Sequence, residues 1–201
     1  MDAGVAVEGL GVSVGAPLAQ AAKGTTHWLV ERWDADAVAW VRRKTGLVEP
    51  DAAVFRRLKV ASYRTTEVVG NVITNGGWTR IMSLLTGGGG QVLDDTHTRI
   101  GVGDGDTSED YANTNLAGTN KWWEPVTGVG TLGTRTLTFQ ASFGSSVANF
   151  DWDEFGIDVT SGTASAGNTV GALLFNRKAG IAQGTKANGQ VWSASAVLTF
   201  T

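Results

Sequence analysis

The chain has no cysteine and only two histidines, three prolines and two methionines in 201 residues. Without cysteine there is no disulfide framework, thiolate zinc site, iron–sulfur cluster or cysteine nucleophile. His27 and His97 are too few for a histidine-based zinc site and stand far apart for a Ser-His-Asp relay. Sixteen Lys and Arg against 19 Asp and Glu give a net charge of −3, which argues against wholesale nucleic-acid binding. Long hydrophobic runs are missing too, so no transmembrane segment is expected. The opening MDAGVAVEGLG carries Asp2 and Glu8 without a basic start, so no signal peptide is expected either.

What is present is glycine and tryptophan. The 28 glycines are roughly twice the average share of ~7%, and they follow no collagen-like period. They point to turns, bulges and close backbone contacts. Apolar residues make up 42% of the chain, enough for a packed core.

Three regions follow from the patterning. Residues 1–24 read as an extended arm: Val5, Val7, Leu10, Val12 and Val14 have strand-like spacing but too much intervening glycine. Such an arm would order best against a partner's sheet edge. Residues 25–69 read as a helical anchoring segment. Thr25 or Thr26 is the expected cap, and Val30, Trp33, Ala37, Trp40 and Val41 fall on one face at spacings of three and four. Gly46 is the expected stop, and Asp51 caps a second helix over 52–58. Residues 70–201 read as a β-rich domain. A helix over 76–86 with Trp78, Ile81, Leu84 and Leu85 as its buried stripe precedes strands at 98–102, Thr136–Phe143, 150–159, 170–176 and Val191–Phe200. With no crossover helices between the strands, the fold class is mainly β, an antiparallel sandwich or small barrel with two to three short helices.

Few residues offer chemistry. Asp104, Asp106 and Ser108 sit at the first, third and fifth places of an EF-hand-like loop, but Glu109 replaces the glycine of the sixth, so the two aspartates are the metal candidates without a complete loop. Asp151, Asp153 and Glu154 are conceivable paired carboxylates for glycoside hydrolysis. The preferred alternative is a buried Glu154 paired with Arg177 or Lys178. Trp122 and Trp123 are either ligand-stacking residues for a sugar or core filling. No Gly-x-Ser-x-Gly elbow occurs. The expectation is therefore no enzyme, no cofactor and no catalytic residue.

The order of motifs adds a further reading. GNVITNGGWTRIMSLL over 70–85, RIGVGDG over 99–105, an acidic and Asn-rich link to Leu116, then Thr136–Phe143, WDEFGID over 152–158, LLFNRK over 173–178 and GTK over 184–186 follow one another. This series resembles a family of tailed-bacteriophage virion proteins and is similar to the phage tail-collar fibre domain, over about residues 70–201. The resemblance implies a non-enzymatic, β-rich, oligomeric assembly module of the virion: a capsid decoration or minor head protein, or alternatively a tail-collar or tail-fibre protein with a receptor- or carbohydrate-binding role. It departs from the tail-collar pattern at Lys121-Trp122-Trp123 and in its glycine-rich inserts. Partners implied are major capsid or tail subunits, further copies of the chain and a host-surface glycan, with no nucleic acid and no membrane. Interface candidates are Val5, Val7, Val12, Trp28, Trp33, Trp40, Arg42, Arg43, Arg56 and Arg57.

Overall fold

The computed structural model describes residues 24–130 and 135–201. Over Gly24–Trp33 the buried residues alternate: Thr26, Trp28, Val30 and Arg32 point inward while His27 is exposed. A period of two makes this a strand, β1. The helix expected from Thr25 therefore begins later. Helix α1 covers Ala35–Thr45, and Asp34 caps it by accepting from the Ala37 amide. Arg42, Arg43 and Lys44 lie in its last turn, and Gly46, at φ 73°, ends it as expected. Helix α2, Ala52–Arg57, starts from the Asp51 cap that the sequence predicts.

The remaining elements are β2 (Arg64–Val69), β3 (Val72–Ile73), α3 (Asn75–Leu85), β4 (Thr98–Gly103), β5 (Lys121–Pro125), β6 (Val129–Gly130), β7 (Thr136–Phe143), β8 (Glu154–Val159), β9 (Leu173–Ala179) and β10 (Val191–Phe200). They form two antiparallel sheets, ordered β2-β1-β10-β7-β6 and β3-β9-β8-β4-β5. The mainly β sandwich is thus as expected. The division near Gly70 is not: β1 is hydrogen-bonded along its whole length to the last strand, from Gly24 opposite Phe200 to Trp33 opposite Val191. Residues 24–69 supply two strands of the first sheet rather than a separate helical segment.

The core lies between the sheets. Trp192, Ala194, Ala196 and Leu198 of β10 face it, with the predicted alternation, against Phe155, Ile157 and Phe175. Trp28 stacks on Phe155 with ring centroids 4.8 Å apart, and Trp152 meets Phe143 and Trp192 edge-on. Each such side chain contributes about 1.5–3 kcal/mol by burial. A second apolar cluster joins α1 and α2 to the first sheet, with Trp33 stacked on Phe55 at 4.6 Å beside Val191.

Helix α3 packs on β9, where a Cβ on Gly77 would collide with the Phe175 carbonyl. Its predicted stripe is only partly covered. Trp78, Ile81 and Leu84 are half-buried, Ile81 against the core, but Leu85 is 76% exposed, and Met82, outside the stripe, is 51% exposed. Leu85, expected in the buried stripe, is therefore an exposed residue of the last turn.

Candidate functional site

Three of the motifs that run in order along the sequence, RIGVGDG, WDEFGID and LLFNRK, meet on the second sheet, on β4, β8 and β9. Along β4, Ile100 and Val102 enter the core, which turns Arg99, Gly101 and Gly103 outward. Along β8, Phe155 and Ile157 enter it, which turns Glu154, Gly156 and Asp158 outward. Two buried ion pairs result. Arg99 donates to both oxygens of Asp158, at 3.0 and 2.5 Å. Arg177, opposite Gly156 on β9, donates from Nε to Glu154 Oε2 at 2.7 Å.

Each pair gathers one loop. Arg99 also donates to the carbonyls of Ser165 and Thr169, and Asp158 accepts from the Gly171 amide at 2.6 Å. Arg177 also reaches the carbonyls of Thr107 and Ser108, while Glu154 accepts from the amides of Ala117 and Gly118. The glycines make room. A Cβ on Gly103 or Gly105 would stand 2.5 or 2.6 Å from Glu154 Oε1, and one on Gly101 would overlap the Trp123 ring. The GVGDG segment leaves room for one carboxylate, that of Glu154. Burial raises the Asp158 carboxyl, with the bonds from Arg99 and Gly171 opposing it.

This arrangement holds backbone in place. Both Glu154 oxygens are occupied and the residue is 0% exposed, so the expected buried pairing with Arg177 is found. Asp151 instead accepts from the Thr185 hydroxyl at the surface. Asp153 is raised by burial first, and then by its acidic neighbours Asp151, Asp106, Asp104 and Glu154. Asp104 spends its two oxygens on the Asn120 amide and side chain, at 3.0 and 2.6 Å, and Asp106 is exposed. Among the described residues, no group of three or more His, Asp or Glu could hold a metal.

The interface candidates separate. Val5, Val7 and Val12 lie outside the described residues. Trp28 and Trp33 are buried in the protein's own clusters and cannot meet a partner, because β1 is a central strand rather than a surface helix. Trp40 is 38% exposed, beneath the Lys44 ammonium. Arg42 is taken by Glu49, Ser145 and the Val48 carbonyl. Arg56 pairs with Glu31, and Arg43 and Arg57 are exposed.

The paired tryptophans point to opposite faces. Trp123 fills the space above Gly101 beside Leu116 and Leu174 and is 0% exposed, so it stacks no ligand. Trp122 is half-buried on the other face and lines a cavity.

Two anchors, Lys186 and Arg32, have structural roles that the sequence reading does not assign, although Lys186 ends its GTK motif. Lys186, wholly buried, donates to the carbonyls of Gly144 and Val147 and to Asn149 Oδ1 at 2.7–2.9 Å. Burial pulls its ammonium down to about 8, with Glu49 opposing. Arg32 reaches Gln183 Oε1 at 2.6 Å and lies over the Trp192 ring. Burial, aided by Arg64 and opposed by Tyr63, lowers its guanidinium to about 10. The only trace of Arg32 in the sequence is its place in the alternation Thr26, Trp28, Val30.

Comparison with protein families, with curated proteins and with solved structures gives no match to this chain.

Proposed function

We propose that the chain is a non-enzymatic structural protein of a tailed-phage virion, attached to the particle surface as a capsid decoration or minor head protein. The N-terminal residues and the surface of α1 and α2 make the attachment, and several copies assemble together. The observation that carries this reading is the fate of the ordered motifs. Arg99, Glu154, Asp158 and Arg177 all enter sealed ion pairs that shape loops, which is compatible with a module whose motifs serve structure. The partly uncovered apolar side of α3 also supports it, since exposed apolar patches mark surfaces that neighbours cover.

The test is to label the chain and image intact particles of the phage that encodes it. Label on the head is the expected result. Label at the tail would replace the head assignment with the tail-collar alternative, and particles free of the chain would overturn the reading. Removal of residues 1–23 should leave the sandwich folded and abolish incorporation.

A further inference from the structure

Lys186, between β9 and β10, is wholly buried, and among the described residues no carboxylate forms an ion pair with it. Its ammonium meets neutral oxygens alone, the carbonyls of Gly144 and Val147 and Oδ1 of Asn149. A buried cation answered only by dipoles is costly to keep. Burial pulls it down to about 8, against the opposing charge of Glu49, so a fraction is neutral amine near neutral pH.

Asn149, between β7 and β8, is held against this amine. Its carboxamide donates from Nδ2 to the Ser145 carbonyl at 3.3 Å, while Oδ1 stands 2.8 Å from Nζ. The Lys186 amide donates to the Phe150 carbonyl at 3.1 Å, so the two backbones are adjacent as well. Ala148, just before Asn149, has φ 54°, and its carbonyl accepts from the Trp152 indole at 3.0 Å. A non-glycine residue keeps such a conformation only where its surroundings impose it, and such strain gathers at functional positions.

We propose that Lys186 and Asn149 become joined by an isopeptide bond. The lone pair of the neutral amine attacks Cγ of Asn149. The Nζ–Cγ bond forms, the Cγ–Nδ2 bond breaks, a proton passes from Nζ to Nδ2, and ammonia leaves to solvent, to which Asn149 is exposed. Amine and carboxamide held in contact make the step intramolecular, and it needs no further reactant. The product replaces a buried charge by a neutral amide, whose N–H still serves one of the two carbonyls. The hydrogen bonds described above are those of the chain before the reaction.

The inference does not rest on the virion reading, and its test uses the isolated full-length chain, so the two fail separately. After denaturation, the intact mass should fall short of the sequence mass by one ammonia. Digestion should give a branched peptide joining the segments that hold Asn149 and Lys186. Asn75 and Asn188 each precede glycine, and a succinimide there would also lose ammonia. Such a product has no branched peptide and persists in Lys186→Arg, whereas the isopeptide should be absent from both Lys186→Arg and Asn149→Ala. A measurement on the unaltered chain covers the case of an unfolded variant. In chain newly made by cell-free synthesis, the branched peptide should appear faster as pH rises towards about 8 and no faster above it. The full sequence mass without a branched peptide, a branch through another pair, or a rate indifferent to pH would overturn the proposal and leave a hydrogen-bonded clasp only.

Discussion

Arg177 and Glu154 are bonded at 2.7 Å inside a pocket of backbone, and neither side chain is more than 1% exposed. The carboxylate closes on Gly118 and Ala117, the guanidinium on Thr107 and Ser108, so this contact ties both ends of the long loop between β4 and β5.

Breaking that pair should be costly. Glu154→Gln leaves a buried guanidinium without its counter-charge, and a loss of about 3–5 kcal/mol is expected in urea unfolding. Glu154→Gln combined with Arg177→Met should cost less than the sum of the two single variants. Additive losses would mean that the two residues act independently.

Gly101→Ala places a methyl where the Trp123 ring lies. Since Trp123 is sealed by Leu116 and Leu174, it has nowhere to move. A destabilisation of about 1–3 kcal/mol is expected, with a change in tryptophan fluorescence. Unchanged emission and midpoint would contradict the packing described.

Lys186→Met keeps the stem volume and removes the donor. The carbonyls of Gly144 and Val147 and the Asn149 side chain would each lose a bond. About 1–3 kcal/mol is expected for groups left unmatched in this way. Amide exchange should accelerate first in residues 144–149, ahead of the β10 amides.

Acid should loosen the same loop from its other side. Burial pushes the Glu109 carboxyl up, but bonds from its own amide, from Lys178 and from the Ala179 amide outweigh it and hold it below its ordinary value of 4.5. The folded state thus releases this proton more readily than the unfolded one. The stabilisation is complete above pH 4.5 and fades as pH falls through the lowered value. With both partners about one-fifth exposed, it amounts to about 1 kcal/mol or less. Glu109→Gln should flatten the acid limb of the stability curve by that amount, measured from pH 6 downward in roughly half-unit steps.

The legible parts of the fold were those with an unmixed period. Thr136–Phe143 and Val191–Phe200 appear with the boundaries expected, because alternate residues meet one core and the others do not. Asp51 and Gly46 act where local chemistry places them. The run Gly24–Trp33 was misread because Val30 and Trp33 also fit a helical spacing with Ala37, and because Arg32 interrupts the apolar alternation while being buried on it. Only pairing with β10 and β2 separates the two periods. At the site, a buried Glu154 paired with Arg177 or Lys178 was legible from an acid-rich strand that needed a base. The separation of Trp122 from Trp123 follows from strand geometry, yet which face meets the core depended on the partners of β5.

The sequence by itself determined the class of fold, the Gly46 stop and the Asp51 cap, the strands Thr136–Phe143 and Val191–Phe200 and the exclusion of thiol chemistry, all of which follow from local periodicity or composition. The tertiary structure alone decided that β1 lies beside the last strand, that Glu154 chooses Arg177 over Lys178, and that Trp122 and Asp51 share a cavity. These are contacts between residues distant in the chain. Their energies depend on burial and on which charges are left unmatched, quantities that no local pattern carries.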